Sequence, residues 1–502
     1  MAKYKPYDYS QHVLIPVSLD QQLMPGTLEF AIHSLVESYM DTSVFDHRYN
    51  NDETGRLAYD PKVLLKVVLL GYSRGLVSSR KIERACRENV TFMALSCCQY
   101  PDHSTIASFV SSMSEEIVSL FRDVLLVCEQ MGLLGGTMFA LDGCKLASNA
   151  SKEWSGTVSE LKRKKDKIEE KVNRLVQQQM DTDSRDRGDD EGGGSSGLSS
   201  RSKQIERLKR QADRIKIFLE DNGPKIGRKG KEIKSNVTDN ESAKMKTSHG
   251  VIQGYNGQVL VDSKHQVIVH GQAFGTGPDH DLLSPMIEGA KENMEAIGKG
   301  KEYFAGKVLL ADTNYHCEDN LARCDKEGLQ AYIPDAGFRR RDPRFATQRQ
   351  YKGGKKEKKF SLKDFRYDEL RDEYICPGGK RLKLEWKEAI YWRYRANKED
   401  CNRCTLRPRC VRKSNVKGRN LMVPVGHGCM SLSKAMAQKI DSEQGRRMYE
   451  QRMGIVEPVF ANMRVHKGLD RFTLRGWVRV NIQWLLYCIV HNMGKIANYG
   501  FT

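Results

Sequence analysis

The sequence predicts a mixed α+β or α/β protein, with a central sheet of short strands and helices at both ends of the chain. Apolar residues recur at three- and four-residue spacing over residues 25–133 and 431–498, which is the period of an amphipathic helix. Short apolar runs between them are typical of buried strands, and two of these runs end in an aspartate, at Asp142 and Asp312. The sequence therefore predicts a sheet in the middle of the chain, with carboxylates at two strand ends.

Length and charge limit the classes of protein to consider. The 502 residues exceed what a single core accommodates, so two to four folded units are expected. Lys and Arg outnumber Asp and Glu by 82 to 64, and the net charge of +18 favours polyanions such as nucleic acid, although a basic surface can also serve solubility alone. The longest apolar run, 484–490, is too short to span a bilayer, and the N-terminal segment lacks the apolar stretch of a secretory signal. These features predict a soluble, cytoplasmic protein with no membrane partner.

The N-terminal helices have recognisable starts. Pro61 follows Asp60, and Asp102 precedes the next apolar-periodic run, so a helix is expected to begin at each. Several short helices in series suit a helix-turn-helix module, and they suit a simple helical bundle equally well.

The strands follow next. The segment FALDGCKLASNAS predicts a buried strand, a turn at Asp142-Gly143 and a second strand. Residues 249–275 predict a hairpin or meander with turns at Gly254 and at Asp262-Ser263. Further strands are predicted where the runs KVLLAD and LQAYIPDA occur, with the first of them ending at Asp312.

A helical insertion interrupts these strands. Residues 158–222 carry apolar side chains at coiled-coil spacing in two segments, which predicts an antiparallel helical hairpin. The polar, Gly/Ser-rich residues 181–200 between the two segments predict a flexible tip. A dimerising coiled coil is the alternative, because each arm is short. The apolar positions are Leu161, Ile168, Val172 and Leu175 in the first segment, and Ile205, Leu208, Ala212, Ile215 and Leu219 in the second.

Three carboxylates are the sharpest chemical feature of the sequence. Asp142 and Asp312 close apolar strands, and Glu457 lies in a C-terminal helical segment. Brought together, they would bind two divalent cations such as Mg²⁺ or Mn²⁺, which can activate an attacking oxygen and stabilise a leaving oxygen on phosphorus. A strand-end aspartate can also be no more than a turn former.

Residues 448–495 resemble the C-terminal signature of bacterial insertion-sequence DDE transposases. The signature residues are Tyr449, Arg452, Glu457 and Arg464, followed by RFTLRG. The chain departs from the family pattern twice, because four residues rather than three separate Arg452 from Glu457, and because the last basic residue is Arg rather than Lys. The longer gap can place Arg452 on a different helix face from the one that the pattern implies.

Other blocks extend the resemblance over most of the chain. Residues 58–96 and 101–109 are similar to the helical N-terminal domain of these transposases. The blocks around Asp142 and Asp312 are similar to those that hold the first and second catalytic aspartates, and residues 238–262 resemble the strands between them. Several ordered blocks at the expected separations make the match specific.

The resemblance implies an RNase H-like core, with Asp142 and Asp312 as Mg²⁺ or Mn²⁺ ligands on adjacent strands and Glu457 as a third ligand. It implies cleavage of double-stranded DNA at element ends, joining of the 3′-OH ends to target DNA, assembly as a homodimer on DNA, and association with the bacterial nucleoid. Tyr449, Arg452 and Arg464 would position DNA phosphates. An element-derived DNA-binding protein that does not cut, and a metal-dependent nuclease without strand transfer, are the alternatives.

The resemblance and the composition together suggest five regions. They are a helical DNA-binding domain at 1–133, an RNase H-like core at 134–157 and 235–338, an inserted hairpin at 158–234, a basic loop with a Cys-rich insert at 339–430, and C-terminal helices at 431–502.

Two features fall in the fourth region. Residues 339–359 hold ten Lys and Arg, and Arg339, Arg340 and Arg341 are candidate DNA contacts, although such a run is often only a solvated loop. Four of the thirteen cysteines have C-x24-C-x2-C-x5-C spacing and are candidate ligands of a structural Zn²⁺. Four reduced thiols in a small insert, or an iron–sulfur cluster, are the alternatives. The four are Cys376, Cys401, Cys404 and Cys410.

A nucleotide triphosphate is not expected as a partner. The segment GKEYFAGKV resembles a P-loop only loosely, because it has one residue too many and lacks a Ser or Thr after Lys307.

Overall fold

The computed structural model describes residues 18–49, 57–186, 195–227, 230–248, 250–345, 359–387, 391–411, 418–424 and 431–500. It divides into two compact units, a larger one from residues 1–333 and 447–502 and a smaller one from residues 334–446. Over these described ranges, no helix combines the length and the apolar character needed to cross a membrane.

The larger unit begins with helices, as the sequence predicted. Asp60 and Asp102 cap the second and fifth of them by accepting hydrogen bonds from the backbone N–H groups of Lys62 and Thr105, at 2.7 and 2.8 Å. The helices are α1 (Leu28–Ser38), α2 (Pro61–Ser73), α3 (Ser79–Glu88), α4 (Val90–Leu95), α5 (His103–Ser112) and α6 (Glu116–Gln130).

A mixed sheet forms the centre of this unit. Its strands run in the order β6–β5–β1–β7–β8, in which β5 is antiparallel to β1 and β6, and β7 is parallel to β1 and β8. Strand β4 pairs with the first residues of β5, and β2 pairs with β3. The strands are β1 (Met138–Ala147), β2 (Ser155–Gly156), β3 (Ser235–Asn236), β4 (Ala243–Thr247), β5 (Gly250–Asp262), β6 (Ile268–Phe274), β7 (Val308–Ala311) and β8 (Gln330–Tyr332).

Two predicted turns are absent from these described strands, because the chain continues as strand through each. Strand β1 runs unbroken through Asp142-Gly143, and the missing side chain of Gly143 makes room for Gln258 of β5, since a Cβ there would lie 2.0 Å from Gln258 Nε2. Gly254 likewise lies inside β5, where a Cβ would meet the carbonyl oxygen of Leu146 at 1.9 Å. The turn predicted after Asp262 is correct, and these glycines permit close strand approach rather than turns.

The predicted helical hairpin is formed by α7 (Val158–Asp186) and α8 (Ser195–Asp221). Their apolar stripes pack against each other: Leu161 contacts Ile215 near the base, and Val172 packs with Ile205 further out. Both helices extend into the range 181–200 that was expected to be a flexible tip, and residues 187–194 lie outside the described part of the chain.

Two further helices of the larger unit follow, α9 (Leu283–Ala296) and α10 (Glu318–Lys326). The smaller unit contains an antiparallel sheet around a core of Tyr374, Leu382, Tyr394 and Leu421. Its elements are α11 (Phe338–Arg341), β9 (Arg366–Asp368), β10 (Glu373–Ile375), β11 (Arg381–Lys387), β12 (Tyr391–Ala396), α12 (Lys398–Asn402), α13 (Arg407–Cys410), β13 (Asn420–Pro424) and α14 (Leu432–Asp441).

The chain ends in two long helices, α15 (Glu443–Ala461) and α16 (Trp477–Tyr499). Helix α16 covers one face of the central sheet, where Trp484 lies so close to Gly257, and Cys488 so close to Gly271, that neither glycine has room for a Cβ. Because Gly257 pairs with Cys144 in the ladder between β1 and β5, this is the face to which Cys144 and Asp142 belong.

Candidate active site

The parallel pairing of β1 with β7 places two aspartates side by side. Leu141 pairs with Ala311 at the end of β7, so the next residues of the two chains are Asp142 and Asp312. Side chains alternate along a strand, and both aspartates are two residues beyond another paired couple, Ala140 and Leu310. Asp142 and Asp312 therefore lie on the same face of the sheet.

Hydrogen bonds from the backbone fix one oxygen of each carboxylate. Oδ1 of Asp142 accepts from the N–H of Gly143 at 2.8 Å, and Oδ1 of Asp312 accepts from the N–H of Thr313 at 2.7 Å. Burial raises the pKa of Asp142, and the negative charge of Asp312 raises it further. A cation between the two carboxylates would relieve both effects, because it favours the ionised forms.

Arg452 supplies such a cation from α15. Its Nη1 donates to Oδ2 of Asp142 at 2.7 Å, and its guanidinium lies 5.9 Å from the centre of the Tyr449 ring. Burial lowers the pKa of Arg452, but the carboxylate of Asp142 outweighs that effect, so the pKa is raised overall. Its Nε is buried without a hydrogen-bond partner among the described groups. Arg452 therefore has an N–H donor, at Nε, that bonds none of the described groups and lies beside the paired aspartates.

Glu457 is not brought to the aspartates. It is exposed, and five residues beyond Arg452 it points about 140° away around the helix. Within the described part of the chain, no three or more His, Cys, Asp or Glu side chains form a group that could hold a metal ion.

The two remaining signature residues lie near this face. Tyr449 is partly buried on α15, and Arg464 is exposed in the π-helical turn Asn462–His466. Burial raises the pKa of the Cys144 thiol, and the charge of Arg464 opposes that rise. Cys144 is two residues beyond Asp142 on the same face of β1.

A side chain that sequence reasoning missed holds α15 in place. Pro458 has no N–H and leaves the carbonyl of Gly454 without its helical partner, and Nε2 of Gln266 donates to that carbonyl at 3.0 Å. Gln266 also accepts from Lys495 Nζ through its side chain and from His491 Nε2 through its carbonyl, both at 2.9 Å. The β5–β6 loop therefore joins α15 to α16, and only the Glu-Pro pair in the sequence hints at it.

A second missed group lies on the opposite face of β1. Oδ1 of Asp279 accepts from Asn256 Nδ2 at 2.5 Å and from Gln258 Nε2 at 3.2 Å, and Gln258 accepts from the hydroxyl of Tyr315. Burial holds the pKa of Tyr315 well above its ordinary value, and the charges of Asp279, Asp142 and Asp312 add to the effect. Tyr315 is thus a neutral donor close to all three carboxylates. No periodic pattern in the sequence marks this network.

In the smaller unit, the four cysteines line one small cavity of about 20 Å³. The N–H of Lys380 donates to Sγ of Cys376 at 3.3 Å, and the N–H of Arg419 donates to Sγ of Cys401 at 3.4 Å. Every described cysteine is a free thiol.

The predicted arginine cluster is divided in its contacts. Arg341 forms ion pairs with Asp335 and Asp441, whereas Arg339 stacks near the rings of Phe338 and Phe345, and Arg340 is exposed. Arg341 is therefore tied within its own unit. Residues 346–358 of the same basic run lie outside the described residues.

Comparison with protein families gives two matches. Residues 375–497 match the transposase DDE domain, and this range includes Glu457, Arg452 and the four cysteines. Residues 17–112, which hold the first helices, match the transposase domain DUF772. No curated protein is similar enough to the chain to count as a match. The matches to two transposase domains, in the order expected along the chain, and the paired aspartates support an insertion-sequence DDE transposase.

Proposed function

We propose that this transposase binds the ends of an insertion sequence, cleaves the DNA there and joins the freed 3′-OH ends to target DNA by metal-dependent phosphoryl transfer. The observation that carries the proposal is the adjacency of Asp142 and Asp312 on one sheet face, with Arg452 on Asp142. The family implies DNA as substrate and a divalent metal as cofactor.

The sheet order supports an RNase H-like core. Three antiparallel strands adjoin two parallel ones, with Asp142 on the central strand β1 and Asp312 at the end of the neighbouring strand β7. We accordingly propose this core for residues 134–157 and 235–338, a DNA-binding role for 1–133, and insertions at 158–234 and 339–430. The C-terminal helices at 431–502 would complete the catalytic site.

The two aspartates suit divalent cations in their chemistry. Hard cations prefer carboxylate oxygens, and a buried, like-charged pair is what such a cation would stabilise. Asp142 and Asp312 would hold Mg²⁺ or Mn²⁺, which when bound would activate the attacking oxygen and stabilise the leaving oxygen. Glu457, as the third ligand, rests on the family pattern alone, because α15 presents it to solvent.

The chain's own residues act around that site. The N–H groups of Gly143 and Thr313 hold one oxygen of each aspartate and so orient the other. The guanidinium of Arg452 neutralises Asp142. Because its Nε–H has no partner among the described groups, the planar guanidinium could donate to a DNA phosphate when a cation holds Asp142 instead. We propose Tyr449 and Arg464 as further phosphate contacts, with Arg339 and Arg340 as contacts in the smaller unit. Paired DNA ends would be held by two copies of the chain.

Cleavage of the element's own end tests this function. The labelled end duplex is incubated with the protein in Mg²⁺, in Mn²⁺ and in EDTA, beside Asp142→Asn and Asp312→Asn. We expect metal-dependent nicking that both variants lose while they still bind the end, because each variant removes a carboxylate and not a phosphate contact. Cleavage by Asp142→Asn at the wild-type rate would contradict the assignment.

Two other functions are outcomes of the same experiment. Tight binding of the end without nicking in either metal would favour the non-cutting DNA-binding protein. Nicking without joining of a supplied 3′-OH end to target DNA would favour the nuclease. The adjacency of the aspartates favours an enzyme over the first of these.

We also propose a structural Zn²⁺ in the smaller unit. Cys376, Cys401, Cys404 and Cys410 line one small cavity, although their side chains are not arranged as a metal-binding group in the described residues. Two of them accept backbone N–H bonds, which stabilise thiolate ligands. Metal analysis of the purified chain should find one zinc, lost in Cys401→Ser but kept in Cys97→Ser, since Cys97 is exposed on the larger unit. Purified wild-type protein that contains no zinc would contradict this proposal.

A further inference from the structure

Helix α8 presents a row of basic side chains to solvent. Lys203, Arg207, Arg210 and Arg214 follow one another at spacings of four, three and four residues, so they share one face of the helix. All of them are exposed. The apolar face of α8, which packs on α7, lies on the opposite side and is formed by Ile205, Leu208, Ala212 and Ile215. This row is called the α8 basic face below.

A groove with an aromatic wall runs along this face. It has a volume of about 510 Å³, and Trp154 lines it together with the α8 basic face. Arg214 Cζ lies 5.9 Å from the centre of the Trp154 ring, and Lys164 Nζ of α7 lies 4.6 Å from it. Glu206, which pairs with Arg210, is the acidic side chain among the described residues that line the groove. The groove is therefore strongly positive.

The outer face of α7 shows that solubility alone does not require such a row. Arg163, Lys167 and Arg174 are exposed there, but Asp166 and Glu170 alternate with them. The two helices of the hairpin thus carry different charge patterns: acidic and basic side chains alternate on the outer face of α7, whereas the four-residue row on α8 is wholly basic, with Glu206 beside it. A mixed face suffices for solvation, whereas a single sign attracts a polyanion.

We propose that the α8 basic face binds the phosphate backbone of duplex DNA, outside the catalytic site and without reading its sequence. The proposal rests on the proposed function in taking DNA as the partner. The row is roughly 16 Å long. Phosphates of one strand follow at about 3.4 Å along the duplex axis, so the row matches on the order of five of them.

The base of the hairpin couples this face to the core. The hairpin begins a few residues after β1, which carries Asp142, and β2 and β3 pair at its base. Lys164 Nζ donates to the carbonyl of Glu153 at 2.6 Å, and Asn236 Nδ2 donates to that of Ser151 at 2.9 Å. DNA held by α8 would therefore be held at a fixed place relative to Asp142.

Two matched variants test the proposal. One replaces Lys203, Arg207, Arg210 and Arg214 with Gln; the other replaces Arg163, Lys167, Lys171 and Arg174 of α7 with Gln and removes the same charge. Affinity for a labelled duplex of arbitrary sequence is measured in EDTA over a range of salt concentrations. We expect the α8 variant to bind roughly ten- to hundredfold more weakly at about 0.1 M salt, with a slope of log K against log salt smaller by about 3. The α7 variant should bind within about twofold of wild type.

Each outcome decides the proposal. Equal weakening of both variants would assign the effect to net charge and overturn it. Unchanged binding by the α8 variant would overturn the proposal while leaving the proposed function intact. It would indicate that the α8 basic face binds an acidic protein instead. A wild-type chain that binds no duplex would overturn the proposed function as well. Should the fourfold α8 variant melt early, the single variants Arg207→Gln and Arg214→Gln must each lower the slope by about 1 for the proposal to stand.

Discussion

Arg452 donates from Nη1 to Oδ2 of Asp142 at 2.7 Å, although 310 residues of chain separate the two. Both side chains are largely buried, with exposed fractions of 11% and 21%. The contact ties α15 to β1 on the face where Asp142 and Asp312 lie together. It also gives the paired carboxylates a positive partner without any metal ion.

Replacement of Arg452 by Ala should make the fold depend on metal. Asp142 would remain buried beside Asp312 without its counter-ion, so the free energy of unfolding in EDTA should fall by about 3 kcal/mol. A divalent cation at the aspartates would then restore part of the loss. Thermal melting in EDTA and in Mg²⁺ should show a larger metal-induced rise in Tm for Arg452→Ala than for wild type.

Arg479→Ala is the matched control, because Arg479 is exposed on α16. It should leave both the Tm in EDTA and the metal-induced rise unchanged. Identical metal responses of Arg452→Ala and wild type would mean that Arg452 does not compete with a cation for Asp142.

The buried His491 should make the fold sensitive to mild acid. Burial lowers the pKa of His491 to about 3, and its Nε2 bonds the carbonyl of Gln266. The unfolded chain takes up a proton at the ordinary pKa near 6.5 and the folded chain does not, so stability is full above pH 6.5 and falls as the pH drops. The loss should be roughly 1.4 kcal/mol per pH unit for this one group.

Urea unfolding at several pH values between 7.5 and 5 measures the effect. His491→Gln should flatten the dependence. Part of the slope should persist in His491→Gln, since burial also lowers the pKa of His270 to about 4. An unchanged slope in His491→Gln would show that His491 is protonated in the folded protein.

Local signals in the sequence predicted much of the fold. The capping residues Asp60 and Asp102 marked helix starts, because capping depends on the nearest few residues. The spacing of Leu161 and Ile215 with their neighbours predicted the α7–α8 hairpin, since apolar stripes must be buried. The adjacency of the strands that carry Asp142 and Asp312 came from the family resemblance rather than from a local signal, and β1 and β7 do pair there, although β1 continues past Asp142.

Features that depend on distant residues were not predictable in this way. Asp142 lies within a continuous strand because β5, more than a hundred residues later, continues the ladder past Gly143. Gln266 meets Gly454 only after the sheet and α15 have formed, so no local pattern marks it. The four-residue gap led us to expect Arg452 on a different helix face, but Arg452 is the residue that meets Asp142, and Glu457 is the one that is exposed.

Gln266 should contribute measurably to stability. The side chain of Gln266 donates to the carbonyl of Gly454 and accepts from Lys495. No backbone N–H of α15 can replace Gln266 at the Gly454 carbonyl, because Pro458, four residues later, has no N–H. Gln266→Ala should lower the free energy of unfolding by about 1–2 kcal/mol. Gln451→Ala, an exposed change on the same helix, should cost less than about 0.5 kcal/mol in the same denaturant titration. Equal losses would show that the bridge adds nothing to the packing of α15.

A substitution at Glu457 should separate an effect on catalysis from an effect on folding. Because it is exposed, Glu457→Gln should leave the Tm within about 1 °C of wild type. If it is nevertheless the third metal ligand, cleavage of the element end should fall by about 100-fold or more, which corresponds to roughly 3 kcal/mol of transition-state stabilisation. Glu450→Gln is the matched control, since Glu450 lies two helical turns earlier on the same exposed side of α15. Cleavage should be normal in Glu450→Gln. Normal cleavage in Glu457→Gln as well would remove Glu457 from the site.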